Sequence, residues 1–537
     1  GRGVRFWDVC IGWLLAAACP GRSSVAVMPS PGCGGRSSVG AVSVAAPAVA
    51  GATVRRAGRE LLVLGAVVTA VLLGVAAGYG PHRDELYFLR AGAEPAWGYA
   101  DQPPLTPLLA HALDVAFGGS LVGLRAPSAL MAGLVVVLTG LVAGELGADR
   151  GAQLLTAGAM AVSAFLLAVG HLLSTSTLDL LVWTVLSWLI VRGVRGGGPI
   201  WLVVGLVAGI GLENKWQPAF LLAGLLVSVL AVGPRAVLRT HWPWLGGLIA
   251  LALWVPNLVW QAAHGFPQLQ LSAAIAAGSS GTSQPWWAFL PYQLVLVSPL
   301  LAPIWLIGLW RLARDPALGT WRAFALAWVL LAALFIATGG KPYYLAGLSP
   351  VLLAAGAPPA LAWARITRVR MQLLGGAFAV AAALNAVLML PVVPATALAT
   401  TPIPAINYDA GETVGWPQFA ATVAAVRAEL LDTRVAVLAR NYGEAGAVDH
   451  YLPALGPAHS GHNSYWDWGP PADDTTAVIV IGYRETQLRA WFGHVDLATH
   501  IDNRLGLHND EQGAAVWIAR NRLAPWTQIW PQFRHLG

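Results

Sequence analysis

Four acidic side chains lie close together in a part of the chain that has few of them. Only 12 of the 26 Asp and Glu residues precede Pro391, and Asp84, Glu85, Glu94 and Asp101 are among them. Asp84 and Glu85 follow an apolar segment by about five residues, where a membrane would meet water. A carboxylate at this boundary can reach both a lipid head group and an aqueous substrate. The alternative is a solvated loop with surface charges.

The residues around these carboxylates favour an ordered loop. The sequence HRDELY occupies 82–87, and WGYADQPPL occupies 97–105. Aromatic and proline side chains at this density are typical of a segment that packs on a membrane surface. We therefore expect the loop 80–126 to hold the acids in fixed positions.

The composition identifies the elements that must position this loop. Of the 537 residues, 56% are apolar and only 11% are charged, and the mean hydropathy is +0.62. Average soluble domains carry about 25% charged residues, so a soluble protein is excluded and a polytopic α-helical membrane protein is predicted. No cysteine follows Cys33, which excludes a disulfide framework, a cysteine-based zinc site and a thiol nucleophile from the rest of the chain.

About eleven apolar segments are candidates to cross about 30 Å of hydrocarbon. They lie near 61–79, 127–146, 152–170, 180–194, 200–212, 217–232, 244–261, 287–309, 323–338, 345–362 and 372–391. The fifth segment is short, so the fifth and sixth are alternatively a hairpin broken at 213–215.

The basic residues predict an orientation. If the N-terminus is cytoplasmic, the inner loops hold 14 Arg residues and the outer loops hold five Arg or Lys residues. The positive-inside rule then places the acid-rich C-terminal part outside the cytoplasm. We expect a disordered or signal-like extension at 1–54, a membrane domain at 55–394 and an extracytoplasmic α/β domain at 395–537.

The C-terminal part has the pattern of a small α/β unit. We expect helices over 417–431 and 485–492, and strands over 435–439, 477–481 and 514–519. Two strings stand out between these elements, NYGEAGA at 441–447 and SGHNSYW at 460–466.

The chain resembles membrane glycosyltransferases of the GT-C fold. The resemblance rests on the Asp84-Glu85 pair, DQPPL at 101–105, LENKW at 212–216, GKPYYL at 340–345 and the two C-terminal strings. These are similar to the protein O-mannosyltransferase and lipid A aminoarabinose transferase superfamily, including bacterial family 39-like members. The resemblance implies a GT-C fold of about eleven transmembrane helices. It also implies transfer of a sugar from a polyprenyl-phosphate donor to a hydroxyl acceptor on the outer face of the bacterial cytoplasmic membrane.

The resemblance also suggests roles for the acids. Asp84 matches the catalytic aspartate of the family, and a carboxylate is a suitable base for an attacking hydroxyl. Glu85 and Asp101 would support it. Asp179, at the start of an apolar segment, is either a helix cap or a substrate-binding residue.

A lipid-phosphate leaving group would need cations nearby. The chain has only two lysines, Lys215 and Lys341, and both lie in turns expected on the outer side. They are candidates for binding the donor phosphate, or alternatively are interfacial residues that snorkel. Tyr343 and Tyr344 either line the substrate site or belong to an aromatic belt. Arginines of the first outer loop are weaker phosphate candidates: Arg83, Arg90 and Arg125.

No cofactor and no metal site are predicted, although a divalent cation is left open. His459 and His462 with Asp467 have poor spacing for a metal. The expected partners are the polyprenyl-phosphate sugar, an envelope acceptor that is protein, lipid or glycan, and the bilayer, with no nucleic acid because the arginines are scattered. The alternatives are a transporter or lipid-linked sugar flippase, and a non-catalytic scaffold.

Overall fold

The structure is a computed structural model that describes residues 57–279 and 283–537. The expected extension at 1–54 lies outside the described residues. Helices α1 to α16 form the apolar part of the chain: Gly58–Val75, Arg83–Ala93, Leu105–Phe117, Leu121–Glu145, Arg150–Ala161, Ala164–Gly170, Thr175–Gly196, Ile200–Leu212, Gln217–Val232, Trp242–Ala263, Pro267–Ala276, Phe289–Val297, Ala302–Arg314, Arg322–Ala337, Ser349–Arg365 and Arg368–Met389.

Each of the eleven expected apolar segments coincides with helix in the described residues. Within residues 57–279 and 283–537, seven helical segments are long and apolar enough to cross a membrane, and the number is nine if two bent pairs each form one span. The bent pairs are α5 with α6, at 57°, and Trp286–Val297 with α13, at 111°. Helices α8 and α9 are shorter. A multi-pass membrane protein is therefore confirmed, whereas the number of eleven spans stays a prediction.

Asn385 of α16 explains how the two bent pairs tolerate their breaks. Its side-chain amide donates to the carbonyl of Val162, at the end of α5, at 2.7 Å and to the carbonyl of Val297, at the end of α12, at 2.9 Å. Backbone carbonyls freed at a break inside a membrane need such partners. One polar side chain thus stabilises both irregular points.

Close contact between helices depends on small residues. A Cβ atom at Gly308 of α13 would lie 1.8 Å from the carbonyl oxygen of Leu352, and one at Gly356 of α15 would lie 1.8 Å from that of Ile304. Only glycine at both positions allows the two backbones to approach this closely.

The C-terminal part is an α/β unit around a five-stranded mixed sheet. The strands are β1 (Val435–Ala439), β2 (His459–Ser460), β3 (Ala477–Ile481), β4 (Phe492–His500) and β5 (Ala515–Arg522), in the order β2-β1-β3-β5-β4. Strand β1 is parallel to β2 and β3, and β5 is antiparallel to β3 and β4. The helices α17 to α23 are Ala395–Leu398, Ile403–Ile406, Tyr408–Gly411, Trp416–Glu429, Tyr442–Tyr451, Glu485–Leu488 and Trp526–Ile529.

One expectation for this unit was wrong, and one helix was not predicted. The expected helix over 485–492 ends at Leu488, and the chain continues as the long edge strand β4, whose alternation of His, Asp and Thr with apolar residues is weak. The string at 441–447 opens the ten-residue helix α21 (Tyr442–Tyr451), a helix that the sequence analysis did not include.

Candidate active site

Helix α2 (Arg83–Ala93) carries the first two acids, and its start is fixed by a capping box. The His82 side chain caps the helix, and the Glu85 carboxylate accepts from the backbone N–H of His82 at 2.8 Å. Asp84 lies in the first turn, and its side chain is 42% exposed. Its Oδ1 accepts a hydrogen bond from the hydroxyl of Tyr442 at 2.7 Å. Asp84 is thus both held by the protein and open to a substrate.

Glu85 is fully buried beside Asp84. Its carboxylate accepts from Nη2 and Nε of Arg125, at 2.7 and 2.9 Å, and from the backbone N–H of Leu173 at 2.8 Å. Arg125 also donates to the carbonyls of Ala76 and Gly80. This pair joins the end of α1 to α2, α4 and the segment before α7.

The structure corrects the roles expected for Arg125 and Arg83. Arg125 is 1% exposed and is held by Glu85, so it is a structural residue. Arg83 is 8% exposed and donates from Nη1 to Asp510 at 2.7 Å and to Glu412 at 3.2 Å. Carboxylates of the C-terminal unit therefore occupy this guanidinium, which anchors that unit to α2. Arg90, likewise, pairs with Glu94 and Asp449.

Asp101 lies in the segment between α2 and α3. Its Oδ1 accepts from the hydroxyl of Tyr87 at 2.7 Å. Burial raises the pKa of the Asp101 carboxyl to about 7, and the charge of Asp84 acts in the same direction. The backbone N–H of Ala100 donates to Oγ of Ser464 at 2.7 Å, so the second C-terminal string holds this segment in place.

The two lysines meet, although 125 positions separate them in the sequence. Nζ of Lys215 lies 5.3 Å from the ring centre of Tyr343 and 5.4 Å from that of Tyr344. Nζ of Lys341 lies 6.0 Å from the same Tyr343 ring. Burial, and then the charge of Lys215, lower the pKa of Lys341 to about 8. Two ammonium groups beside one ring form a compact positive region suited to an anion.

The turn that carries Lys215 is clamped from two sides. The Asn214 side chain accepts from the Thr106 hydroxyl at 2.6 Å and donates to the carbonyl of Thr175 at 2.8 Å. Nζ of Lys215 lies 3.2 Å from Oγ of Ser176. The turn is therefore bound to the start of α7 and to the start of α3, which follows Asp101 by four residues.

Asp179 does not cap its helix. Helix α7 begins at Thr175, and the Ser174 side chain caps it by accepting from the backbone N–H of Ser176 at 3.0 Å. Oδ1 of Asp179 is buried without a hydrogen-bond partner. The charges of Asp179 and Asp84 partly offset the burial that lowers the pKa of Lys215. Of the two alternatives for Asp179, the capping role is wrong. Its place beside Lys215 fits the other, although binding of a substrate stays a prediction.

Two residues of the C-terminal unit join the site without having been predicted from the sequence. Tyr442 binds Asp84, and Asp409 lies 3.6 Å from Nε2 of His82. A signal existed for Tyr442, because Asn441 and Glu444 form a capping-box pattern that predicts a helix starting at 442. No comparable signal exists for Asp409, which sits in a four-residue helix.

The histidine pair of the C-terminal unit serves packing. Nδ1 of His459 lies 3.0 Å from the carbonyl of Gly469, and the ring of His462 packs at a tilt against that of Tyr442, with 4.7 Å between the ring centres. Among residues 57–279 and 283–537, no three His, Cys, Asp or Glu side chains are grouped so that they could hold a metal ion.

Known proteins are similar to parts of this chain in sequence. A sequence model of the family described as dolichyl-phosphate-mannose-protein mannosyltransferase matches residues 101–260. Two curated relatives are similar over part of the chain, and both are named undecaprenyl phosphate-alpha-4-amino-4-deoxy-L-arabinose arabinosyl transferase. The protein of Pseudomonas savastanoi pv. phaseolicola is 28% identical over 46% of this chain and 48% of its own length. That of Pseudomonas fluorescens is 30% identical over 45% and 46%. The match thus spans about half the length of these relatives.

Solved structures share the fold over most of the chain. ArnT from Cupriavidus metallidurans, in the apo state, covers 86% of this chain and 97% of its own, with a TM-score of 0.54 and 15% identity. The same protein bound to undecaprenyl phosphate gives the same coverage and TM-score at 14% identity. At 14–15% identity these structures show a shared fold, while the family model and the curated relatives match shorter parts of the chain.

Proposed function

We propose that this protein is a membrane glycosyltransferase that moves a sugar from a polyprenyl-phosphate donor to a hydroxyl acceptor. The observation that carries the proposal is the position of Lys215 and Lys341 beside one tyrosine ring, with Asp84 interacting electrostatically with both. The names of the curated relatives and the undecaprenyl phosphate in one ArnT structure support this class of donor.

The proposed reaction needs a base and a cationic site. The acceptor oxygen attacks the anomeric carbon of the donor sugar and transfers its proton to the Asp84 carboxylate. The bond between that carbon and the phosphate oxygen breaks, and its electron pair leaves with the lipid phosphate. Lys215 and Lys341 stabilise the charge that develops on this phosphate.

The other site residues surround these groups. Tyr343 and Tyr344 line the donor phosphate site. The Tyr343 ring lies near both ammonium groups, and the Tyr344 ring lies near that of Lys215. Asp179 contributes to the surroundings of Lys215, because its charge counters the burial that lowers the pKa of that lysine. Glu85 and Asp101 do not touch the substrate in this proposal: Glu85 fixes helix α2, and Asp101 fixes the segment that follows it.

We also propose a location for the reaction. The arginine asymmetry supports a cytoplasmic N-terminus. With eleven spans in the bacterial cytoplasmic membrane, over a membrane domain at 55–394, the unit over 395–537 is then extracytoplasmic. The test is accessibility of single cysteines in a chain that lacks Cys10, Cys19 and Cys33. Leu431→Cys, at a 98% exposed position, should react in intact cells, and Gly197→Cys only after lysis. The reverse pattern would contradict this orientation.

A transfer assay tests the activity. The purified full chain would be given undecaprenyl phosphate linked to 4-amino-4-deoxyarabinose, to mannose or to other sugars, with bacterial membranes as the acceptor. We expect product and free undecaprenyl phosphate with at least one donor, and neither with the Asp84→Asn variant. Movement of the donor across a vesicle bilayer without any product would instead favour a flippase.

A further inference from the structure

Tyr442 makes a contact that the proposed reaction has not yet used. Its hydroxyl donates to Oδ1 of Asp84 at 2.7 Å, across 358 positions of the sequence. The tyrosine belongs to the C-terminal α/β unit and the aspartate to the first turn of α2. The contact therefore joins the two parts of the chain at the proposed catalytic base.

The start of helix α21 fixes the backbone of Tyr442. Asn441 caps the helix by accepting from the N–H of Glu444 at 2.8 Å, and the Glu444 carboxylate accepts from the N–H of Asn441 at 3.0 Å. Such a reciprocal pair defines where the helix begins. Tyr442 is the first residue of this helix, so the backbone that carries its side chain is held in place.

Two glycines allow α21 to pack closely against α2. A Cβ atom at Gly443 would lie 2.8 Å from Cβ of Arg83, and one at Gly446 would lie 3.0 Å from Cβ of Leu86. Side chains at these positions would push the helices apart. The string at 441–447 thus supplies the helix cap, the tyrosine and both points of close contact.

The ring of Tyr442 is enclosed as firmly as its backbone. It packs on the ring of Tyr87 at 4.9 Å and on that of His462 at 4.7 Å, and the guanidinium carbon of Arg83 lies 4.9 Å from its centre. Burial and the charge of Asp84 raise the pKa of Tyr442 well above its usual range. The hydroxyl keeps its proton and acts as a donor.

We propose that Tyr442 is a positioning residue for the base Asp84, so that the C-terminal unit forms part of the active site. The inference rests on the proposed function. A carboxylate with one oxygen held by a fixed donor keeps its orientation, which leaves Oδ2 of Asp84 to receive the acceptor proton. The C-terminal unit then acts on turnover and not only on acceptor binding.

The test compares three variants of the full chain with the wild type, using the donor that the transfer assay identifies. Tyr442→Phe keeps the ring and removes the hydroxyl. We expect its kcat to fall by about tenfold or more, as for a lost hydrogen bond to a charged group, with an unchanged KM for the donor. The acid limb of its pH–kcat profile should move to higher pH, because the ionised carboxylate loses a donor.

The other variants separate the possible outcomes. Tyr451→Phe makes the same change at the far end of α21 and should leave kcat and the pH profile unchanged. Tyr442→Phe with a normal kcat and profile, together with an inactive Asp84→Asn, would overturn the role of Tyr442 while keeping the proposed function. Near-normal turnover in Asp84→Asn would overturn Asp84 as the base. A lower melting temperature without a moved acid limb would show that Tyr442 is only structural.

Discussion

Asp84 and Glu85 are neighbours on one helix, and the structure surrounds them with different chemistry. Glu85 is fully buried, and an arginine and two backbone N–H groups bind its two oxygens. The side chain of Asp84 is 42% exposed, and its charge acts on Lys215 and Lys341. Successive residues of a helix point about 100° apart, so one turn can serve both the fold and the reaction.

The same contrast separates the basic residues. Arg83 and Arg125 are buried against protein carboxylates. Lys215 instead lies beside two tyrosines and a serine hydroxyl, and the nearby Asp179 has a buried oxygen without a hydrogen-bond partner. Arginines that are paired with protein carboxylates hold the fold, whereas a lysine that lies against tyrosine rings and a hydroxyl is suited to an anionic ligand.

The largest expected effect is on turnover at Asp84. Asp84→Asn keeps the shape of the side chain and removes the base, so kcat should fall by about 10² to 10⁴-fold. The melting temperature should change little, because the side chain is partly exposed. Steady-state kinetics and a thermal melt in detergent measure both. Normal turnover in this variant, with loss in Asp101→Asn or Asp179→Asn, would show that another carboxylate is the base.

The matched change at Glu85 should act on stability first. Glu85→Gln leaves the guanidinium of Arg125 buried without its counter-charge, which typically costs about 3–5 kcal/mol. We expect a clearly lower melting temperature and a lower yield of folded protein. Whatever folds should keep a near-normal KM for the donor. A stable Glu85→Gln variant that is inactive would remove the distinction between the two neighbours.

The lysines should affect the donor more than the acceptor. Lys341→Ala removes one charge-assisted contact to phosphate, worth about 1.5–3 kcal/mol, so the apparent donor affinity should fall about tenfold or more. Arg434→Ala, which removes an exposed ion pair of the C-terminal unit, is the control and should change neither substrate. Altered acceptor dependence with unchanged donor dependence would place Lys341 on the other substrate.

Asp101 should change how the free energy of unfolding depends on pH. Its pKa is raised by burial from 3.8 to about 7, so the folded protein binds this proton more tightly than the unfolded chain. The contribution of the Asp101 carboxyl to the free energy of unfolding is therefore present below about pH 4. It is lost as the pH rises to about 7, at up to about 1.4 kcal/mol per pH unit. Asp101→Asn should flatten the fall of stability in this window, measured by melts at several pH values.

Much of the fold was predictable because the length of an apolar segment and the spacing of its apolar residues indicate secondary structure without knowledge of the tertiary contacts. All eleven apolar segments coincide with helix, and β1 and β3 have their expected bounds. The bends were not predictable, since they depend on hydrogen bonds from the distant side chain of Asn385. Strand β4 was missed because an edge strand needs no clear apolar face.

The site was predictable in its types of residue and only partly in its geometry. Residue type and position in a turn were enough to select Lys215 and Lys341, which the structure brings together. Residue type and position did not predict the surroundings of Arg83 and Arg125. Arg83 pairs with Glu412 and Asp510, and Arg125 pairs with Glu85, and only the tertiary fold identifies these partners. The contact of Tyr442 with Asp84 was missed for the same reason, although the capping-box pattern of Asn441 and Glu444 predicts the helix that Tyr442 begins.

The hydrogen bond between Tyr442 and Asp84 joins residues that are synthesised at different times. Its two residues are 358 positions apart, and chains grow at roughly 5–20 residues per second. Asp84 thus emerges roughly 20 to 70 s before its tyrosine is made. During that interval the nascent chain carries Asp84, and later Lys215 and Lys341, without the contact that orients the aspartate. A partly made or prematurely ended chain would therefore lie among lipid-linked sugars without its oriented base, and catalytic competence would arrive only with the last quarter of the polypeptide.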